Sequence, residues 1–222
     1  MRIRLDLAYD GTGFEGWQIQ ETTRPVRTIQ GELEAVLAGL YGASPRVHAS
    51  GRTDAGVHAD GQVAHLDSPE SPRLPFDGLR RALNSRLPDD VRVLAASEVA
   101  PEWHARISAL GKVYVYRLRR GELLHPVTGR NEALARERLD VGAMRDAARR
   151  LLGRRDFAPF SLTGSDPSTT VRTLVRLDVE EEGSLLVITA IGDGFLRGMV
   201  RRLVGTLRDV GRGRTPPGLA PE

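Results

Sequence analysis

The sequence predicts an α+β fold, α/β in its content, built on antiparallel strands rather than on strict βαβ alternation. Three observations carry this. "RIRLDLAY" (2–9) sets Ile3, Leu5, Leu7 and Tyr9 against Arg2, Arg4 and Asp6, the two-residue period of a half-buried strand. Ile29, Leu33, Val36, Leu37 and Leu40 recur at helical spacing. "VRTLVRLDVEEEGSLLVITAIG" (171–192) turns back near Gly183 with no helix between its strands.

The remaining elements follow in order. "DGTGFEGW" is a glycine-rich loop with two aromatics, and Thr28 caps a helix that Gly42 stops. "RVHAS" leads into "GRTDAGVHA" (51–59), and "GQVAHLD" returns as a strand, so Arg52 and Asp54 sit on a loop between strands. "FDGLRRALNSRL" (76–87) reads as a helix stopped by Pro88, and "VRVLAASEVA" as a strand closing a first half. After "PEWHARISA", "KVYVYRLRR" is a strand, "VGAMRDAARRLLG" an amphipathic helix and "FLRGMVRRLVGTLRDVG" (195–211) a long helix. In that helix Leu196, Val200, Leu203, Leu207 and Val210 form the core stripe, and Arg197, Arg201 and Arg208 fall on another face. The second half repeats the ingredients of the first, which gives two halves, 1–100 and 101–222. "TGSDPSTT" (163–170) reads as a surface loop.

With 222 residues, 40% of them hydrophobic, the chain is large enough for a genuine core. It has no cysteine, so disulfides and thiolate zinc sites are excluded. No apolar run approaches the roughly 20 residues of a membrane helix, and Met1 is not followed by a signal-like segment, so the chain reads as soluble and intracellular. A formal charge of +3 is too small to identify a partner. Lys112 is the only lysine, so the basic residues are almost wholly arginine, the side chain suited to bidentate phosphate contacts and base stacking. Genome-wide base composition produces the same bias.

Asp54 is the first candidate for chemistry. A carboxylate on a glycine-bounded turn near an arginine serves as a nucleophile or base, and the same residue also suits an Asx turn. Asp60 would complete a glycosidase-like carboxylate pair, or else begins the next strand. His48, His58 and His65 do not have the spacing of a compact zinc motif. "DGTGFEG" lacks the Lys-Ser/Thr ending of a phosphate loop, which argues against nucleoside triphosphates. Tyr114 and Tyr116 share one face of a strand, either as half-buried core aromatics or as a platform for an unpaired base.

Five segments, "YDGTGFEGWQ", "GRTDAGVHA", "WHARISA", "GKVYVY" and "GFLRGMVRRLVGTL", together resemble the tRNA pseudouridine synthase A family in order and spacing, from residue 5 to about residue 211. The resemblance implies the pseudouridine synthase fold: two similar halves forming a central, mostly antiparallel sheet flanked by helices, with a cleft between them. It implies a cytoplasmic, homodimeric isomerase acting at positions 38, 39 or 40 of the tRNA anticodon stem-loop without a cofactor or metal. It makes Asp54 the catalytic aspartate, Arg201 the basic residue paired with it, and Arg52 the arginine that displaces the target base. Tyr114 packs on the uracil, and Phe195 lies on the same wall. Glu102, Trp103, His104, Ala105 and Arg106, with Gly164, Ser165, Asp166, Pro167 and Ser168, match segments that contact tRNA. Family members continue past the long helix with another helix and a strand, so this second half reads as shortened. A catalytically silent RNA binder and a synthase acting on other RNA are the rival expectations.

Overall fold

The computed structural model describes residues 1–20, 24–69, 74–162 and 168–216. The chain divides into two compact units, Met1–Ala109 and Leu110–Glu222.

In the first unit, β1 (Arg2–Tyr9), α1 (Ile29–Tyr41), β2 (His48–Ala49), β3 (Ala59–Asp67), α2 (Phe76–Asn84) and β4 (Val91–Val99) follow one another. The strands form a sheet in the order β2-β3-β1-β4, and every pairing is antiparallel. The alternation read in "RIRLDLAY" is realised: Ile3, Leu5, Leu7 and Tyr9 are buried with Leu33 and Leu37 of α1 and Leu79 and Leu83 of α2. At the start of α1 the Thr28 side chain accepts from the Gly31 N–H at 3.2 Å, and the helix ends on Gly42 in the left-handed region. Helix α2 is shorter than its periodicity predicts. The Asn84 side chain is engaged by strand β4, donating to Val93 O and accepting from Val93 N–H, both at 2.8 Å, and Pro88 bars any continuation.

The second unit contains β5 (Lys112–Arg120), β6 (Ala133–Ala135), α3 (Val141–Arg150), β7 (Gly153–Asp156), β8 (Val171–Glu182), β9 (Leu185–Gly192) and α4 (Met199–Gly211). The sheet order is β6-β5-β9-β8-β7; β5 and β6 are parallel and the other pairs antiparallel. Gly183, with φ +61°, lies in the β8–β9 turn where the sequence placed it. Leu118, Leu177, Val179, Leu186 and Ile188 pack with Met144 of α3 and with Met199, Leu203, Leu207 and Val210 of α4.

Helix α4 begins at Met199, four residues later than the sequence suggested. Gly198 adopts φ +72° and turns the chain, with Met199 N–H bonded to Leu196 O at 3.1 Å. A Cβ on Gly198 would lie 2.5 Å from Leu162 Cδ1. Phe195 therefore sits on a loop and Arg201 in the first turn of the helix. The buried stripe gains Met199 and Val204, while Val200 is only half-buried.

Candidate functional site

The Asp54 loop owes its shape to the N-terminal motif. Val57 N–H bonds to Asp54 O at 3.2 Å, and Gly56 at the third position has φ +74°, the signature of a type II turn that demands glycine. Gly51 is not among the positive-φ glycines. The loop "YDGTGFEGW" then clamps this turn. Trp17 N–H donates to Thr53 O at 3.0 Å and Gly56 N–H to Phe14 O at 3.2 Å. Tyr9 Oη lies 2.9 Å from Thr53 Oγ1, and Gln62 Nε2 donates to Gly51 O at 2.7 Å. Gly11 and Gly16 permit backbone-to-backbone approach, since a Cβ on Gly11 would be 2.1 Å from Val57 O and one on Gly16 2.6 Å from Thr53 O.

The clamp is itself anchored. Arg27 binds Asp90 through both terminal nitrogens at 2.6 and 2.8 Å and Glu32 at 2.6 Å, and its guanidinium lies 4.1 Å from the Phe14 ring centroid. Gln30 accepts from Ile19 N–H at 3.1 Å, tying the loop to α1. His58 Nδ1 lies 3.2 Å from Gly11 N and 3.0 Å from Asp10 Oδ1. On this scaffold Arg52 is exposed and Asp54 half-buried. Asp60 is an exposed residue of β3.

The segment Glu102–Arg106 belongs to the same unit. Arg2 holds Asp67 at 2.8 and 2.9 Å and donates to the carbonyls of Pro101 and Trp103, while the Arg4 guanidinium lies 5.8 Å from the Trp103 ring. Ala105 is buried, its N–H donating to His65 Nδ1 at 3.3 Å. It anchors the segment, whereas Glu102 and Arg106 are exposed and Trp103 and His104 half-buried. His104 Nδ1 in turn accepts from Arg106 N–H at 3.1 Å.

His48, weighed above for metal, instead stacks on His65 at 5.0 Å, and His104 meets His65 edge-on at 4.5 Å. Among the described residues no group of histidine and carboxylate side chains is arranged to hold a metal ion. Burial, then His104 and His48, push the His65 pKa down to about 4 from 6.5. The native ring stays neutral where the unfolded chain takes up a proton. This contribution to stability is therefore complete above pH 6.5 and is lost as pH falls toward 4. Urea unfolding between pH 7.5 and 4.5 should show the decline, and His65→Asn, which keeps an acceptor but does not titrate, should flatten it.

In the second unit, Tyr114 and Tyr116 lie on the helix-facing side of β5, half-buried against the core, as their shared parity predicted. Tyr114 meets Phe195 edge-to-face with ring centroids 4.9 Å apart. Arg201, with Arg202, Gly205, Thr206, Asp209, Pro159 and Phe160, lines an open groove along α4. Arg208, grouped with Arg201 in the sequence, has a structural partner: it binds Glu137 through two nitrogens and holds that carboxyl down to about 2. Gly164, Ser165, Asp166 and Pro167 lie outside the described residues, and Ser168 is exposed.

Sequence reasoning missed Tyr9 and Gln62. The available signal was Gln62, a polar residue in step with the buried Ala64 and Leu66 of β3.

Comparison with known proteins agrees with this arrangement of motifs. The profile of the tRNA pseudouridine synthase family matches residues 7–107 and 147–222. A tRNA pseudouridine synthase A of Geobacter sulfurreducens is 43% identical over 215 residues, covering 97% of this chain and 86% of that protein. One from Halalkalibacterium halodurans is 45% identical over 214 residues, covering 96% of this chain and 80% of its own length. A third, from Anoxybacillus flavithermus, is 45% identical over 217 residues, with 96% and 84% covered. The chain belongs to the tRNA pseudouridine synthase A family, whose members are isomerases.

Proposed function

We propose that this protein isomerises uridine to pseudouridine at one or more of positions 38, 39 and 40 of the tRNA anticodon stem-loop, with Asp54 as the catalytic carboxylate. The observation that carries the reading is the placement of Asp54: a half-buried carboxylate on a type II turn clamped by a second motif, in a chain of this family.

The reaction breaks the N1–C1′ bond, turns the uracil and joins C5 to C1′. The C5 hydrogen leaves as a proton and N1 gains one, so no oxidant or reductant is consumed. A carboxylate is required as a nucleophile or to stabilise the electron-poor intermediate. In this reading Arg201 is the basic residue paired with it, and Tyr114 with Phe195 supplies an aromatic wall for the uracil. Unstacking a base within a stem is costly, and exposed Arg52 substitutes for it in the stack. Glu102, Trp103, His104 and Arg106 contact the tRNA, held by buried Ala105, and residues 164–168 supply a second contact.

The active species is a cytoplasmic homodimer. No helix among the described residues is long and apolar enough to cross a membrane. Exposed apolar side chains on β5 and β8 support self-association: Val113 is 61%, Val115 46% and Val175 66% exposed. Val175 is exposed beside Arg176 because β8 is irregular between Leu174 and Arg176.

The test is tritium release from tRNA transcripts labelled at C5 of uridine, with uridine retained only at position 38, 39 or 40 of the anticodon arm. Release from these transcripts is expected. Binding without release from any uridine would make the protein an RNA binder, and release only from uridines elsewhere would redirect it to another site.

A further inference from the structure

Tyr9 and Gln62 are polar residues on the apolar face of the first sheet, 4% and 9% exposed. Strand β1 is irregular between Leu7 and Tyr9, so that Leu7 pairs with Gln62 but Tyr9 with Ala59, which sets the two side chains side by side. Gln62 Nε2 donates to the Tyr9 hydroxyl at 3.3 Å and to Gly51 O at 2.7 Å. With one lone pair of the Tyr9 oxygen filled by Gln62, the phenolic proton is available to Thr53 Oγ1, 2.9 Å away. Burial raises the Tyr9 pKa, which keeps that proton in place.

A buried polar chain costs desolvation that apolar residues would not, so where its bonds end is informative. This one ends on Gly51 and Thr53, the two residues that bracket Arg52, and Thr53 immediately precedes Asp54. Trp17 and Phe14 also anchor the turn, through backbone groups. Tyr9 and Gln62 are buried side chains that hold both sides of Arg52 from within the core.

We propose that Tyr9 and Gln62 are positioning residues for the isomerisation, orienting Arg52 and Asp54 through the Gly51 carbonyl and the Thr53 hydroxyl. The proposal rests on Asp54 being the catalytic carboxylate. A reactive group displaced by a fraction of an ångström loses rate while the outer RNA contacts persist.

Single-turnover tritium release and tRNA binding by the full chain decide it. Tyr9→Phe and Thr53→Val should each slow the chemical step about tenfold with Kd within about twofold of wild type. The double variant should be no slower than the slower single, since the Tyr9–Thr53 hydrogen bond is lost in both. Thr53→Ser, which keeps the hydroxyl, should restore the rate. Wild-type rates in Tyr9→Phe, additive losses in the double variant, or a Kd that weakens in step with the rate would overturn the proposal. If Tyr9→Phe does not fold, the Thr53 pair decides: a slow Val with a fast Ser supports the proposal, and a fast Val overturns it. Asp54→Asn is measured alongside. Turnover by that variant removes the underlying reading, whereas its inactivity beside a fast Tyr9→Phe removes only the positioning role.

Discussion

Asp54→Asn is expected to lose turnover by about 10⁴-fold or more while binding tRNA within about threefold of wild type. Asparagine has the size of aspartate and keeps a side-chain oxygen as an acceptor. It cannot carry the negative charge or act as the nucleophile. The substitution spares the turn, because the bond that closes it runs from Val57 N–H to the backbone carbonyl of residue 54. The Trp17, Phe14 and Gln62 anchors also reach neighbouring residues rather than this side chain. Tritium release measures the first quantity and filter binding the second. Equal losses of both would make Asp54 a residue that builds the loop, which is the Asx-turn reading of the bare sequence.

Much of the fold was legible because it follows from period and punctuation. The alternation in β1, the Thr28 and Gly42 boundaries of α1 and the Gly183 turn all appear where these signals place them. The start of α4 was not legible. Phe195, Leu196 and Met199 fit a helical stripe equally well inside or outside a helix, and only the positive φ of Gly198 separates them. Strand β6 is three residues long, too short to show a period, and all four residues of β7 are exposed, so neither announces itself. The site divides in the same way. Asp54 and Arg52 stand out between glycines, whereas the stacking of His48 on His65 depends on the register of β2 against β3. Arg208 looked like a neighbour of Arg201 on one helix, and only its partner Glu137, distant in sequence, shows that it serves structure.

The second large effect belongs to Gly11. Adding one methyl group there should cost about 3 kcal/mol of stability and remove activity, although Gly11 is not among the positive-φ glycines. The reason is contact alone: the new Cβ would sit 2.1 Å from the carbonyl oxygen and 2.6 Å from the carbonyl carbon of Val57. Both are backbone atoms, so no side-chain rotation relieves the clash. The two motif loops must separate, and the residue pushed away closes the Asp54 turn through its N–H. Gly16→Ala adds a conformational penalty to a similar clash, because Gly16 has φ +96° and its Cβ would lie 2.6 Å from Thr53 O. Gly39 provides the contrast, being an exposed α1 residue where an added Cβ would meet no atom within 4 Å. Gly39→Ala should stabilise the protein by about 0.5–1 kcal/mol and leave turnover unchanged. Thermal melts and tritium release on the three variants separate the effects. A Gly11→Ala protein with wild-type melting and turnover would show that the two loops do not need their close approach, and with it would go the argument that the N-terminal motif exists to shape the Asp54 turn.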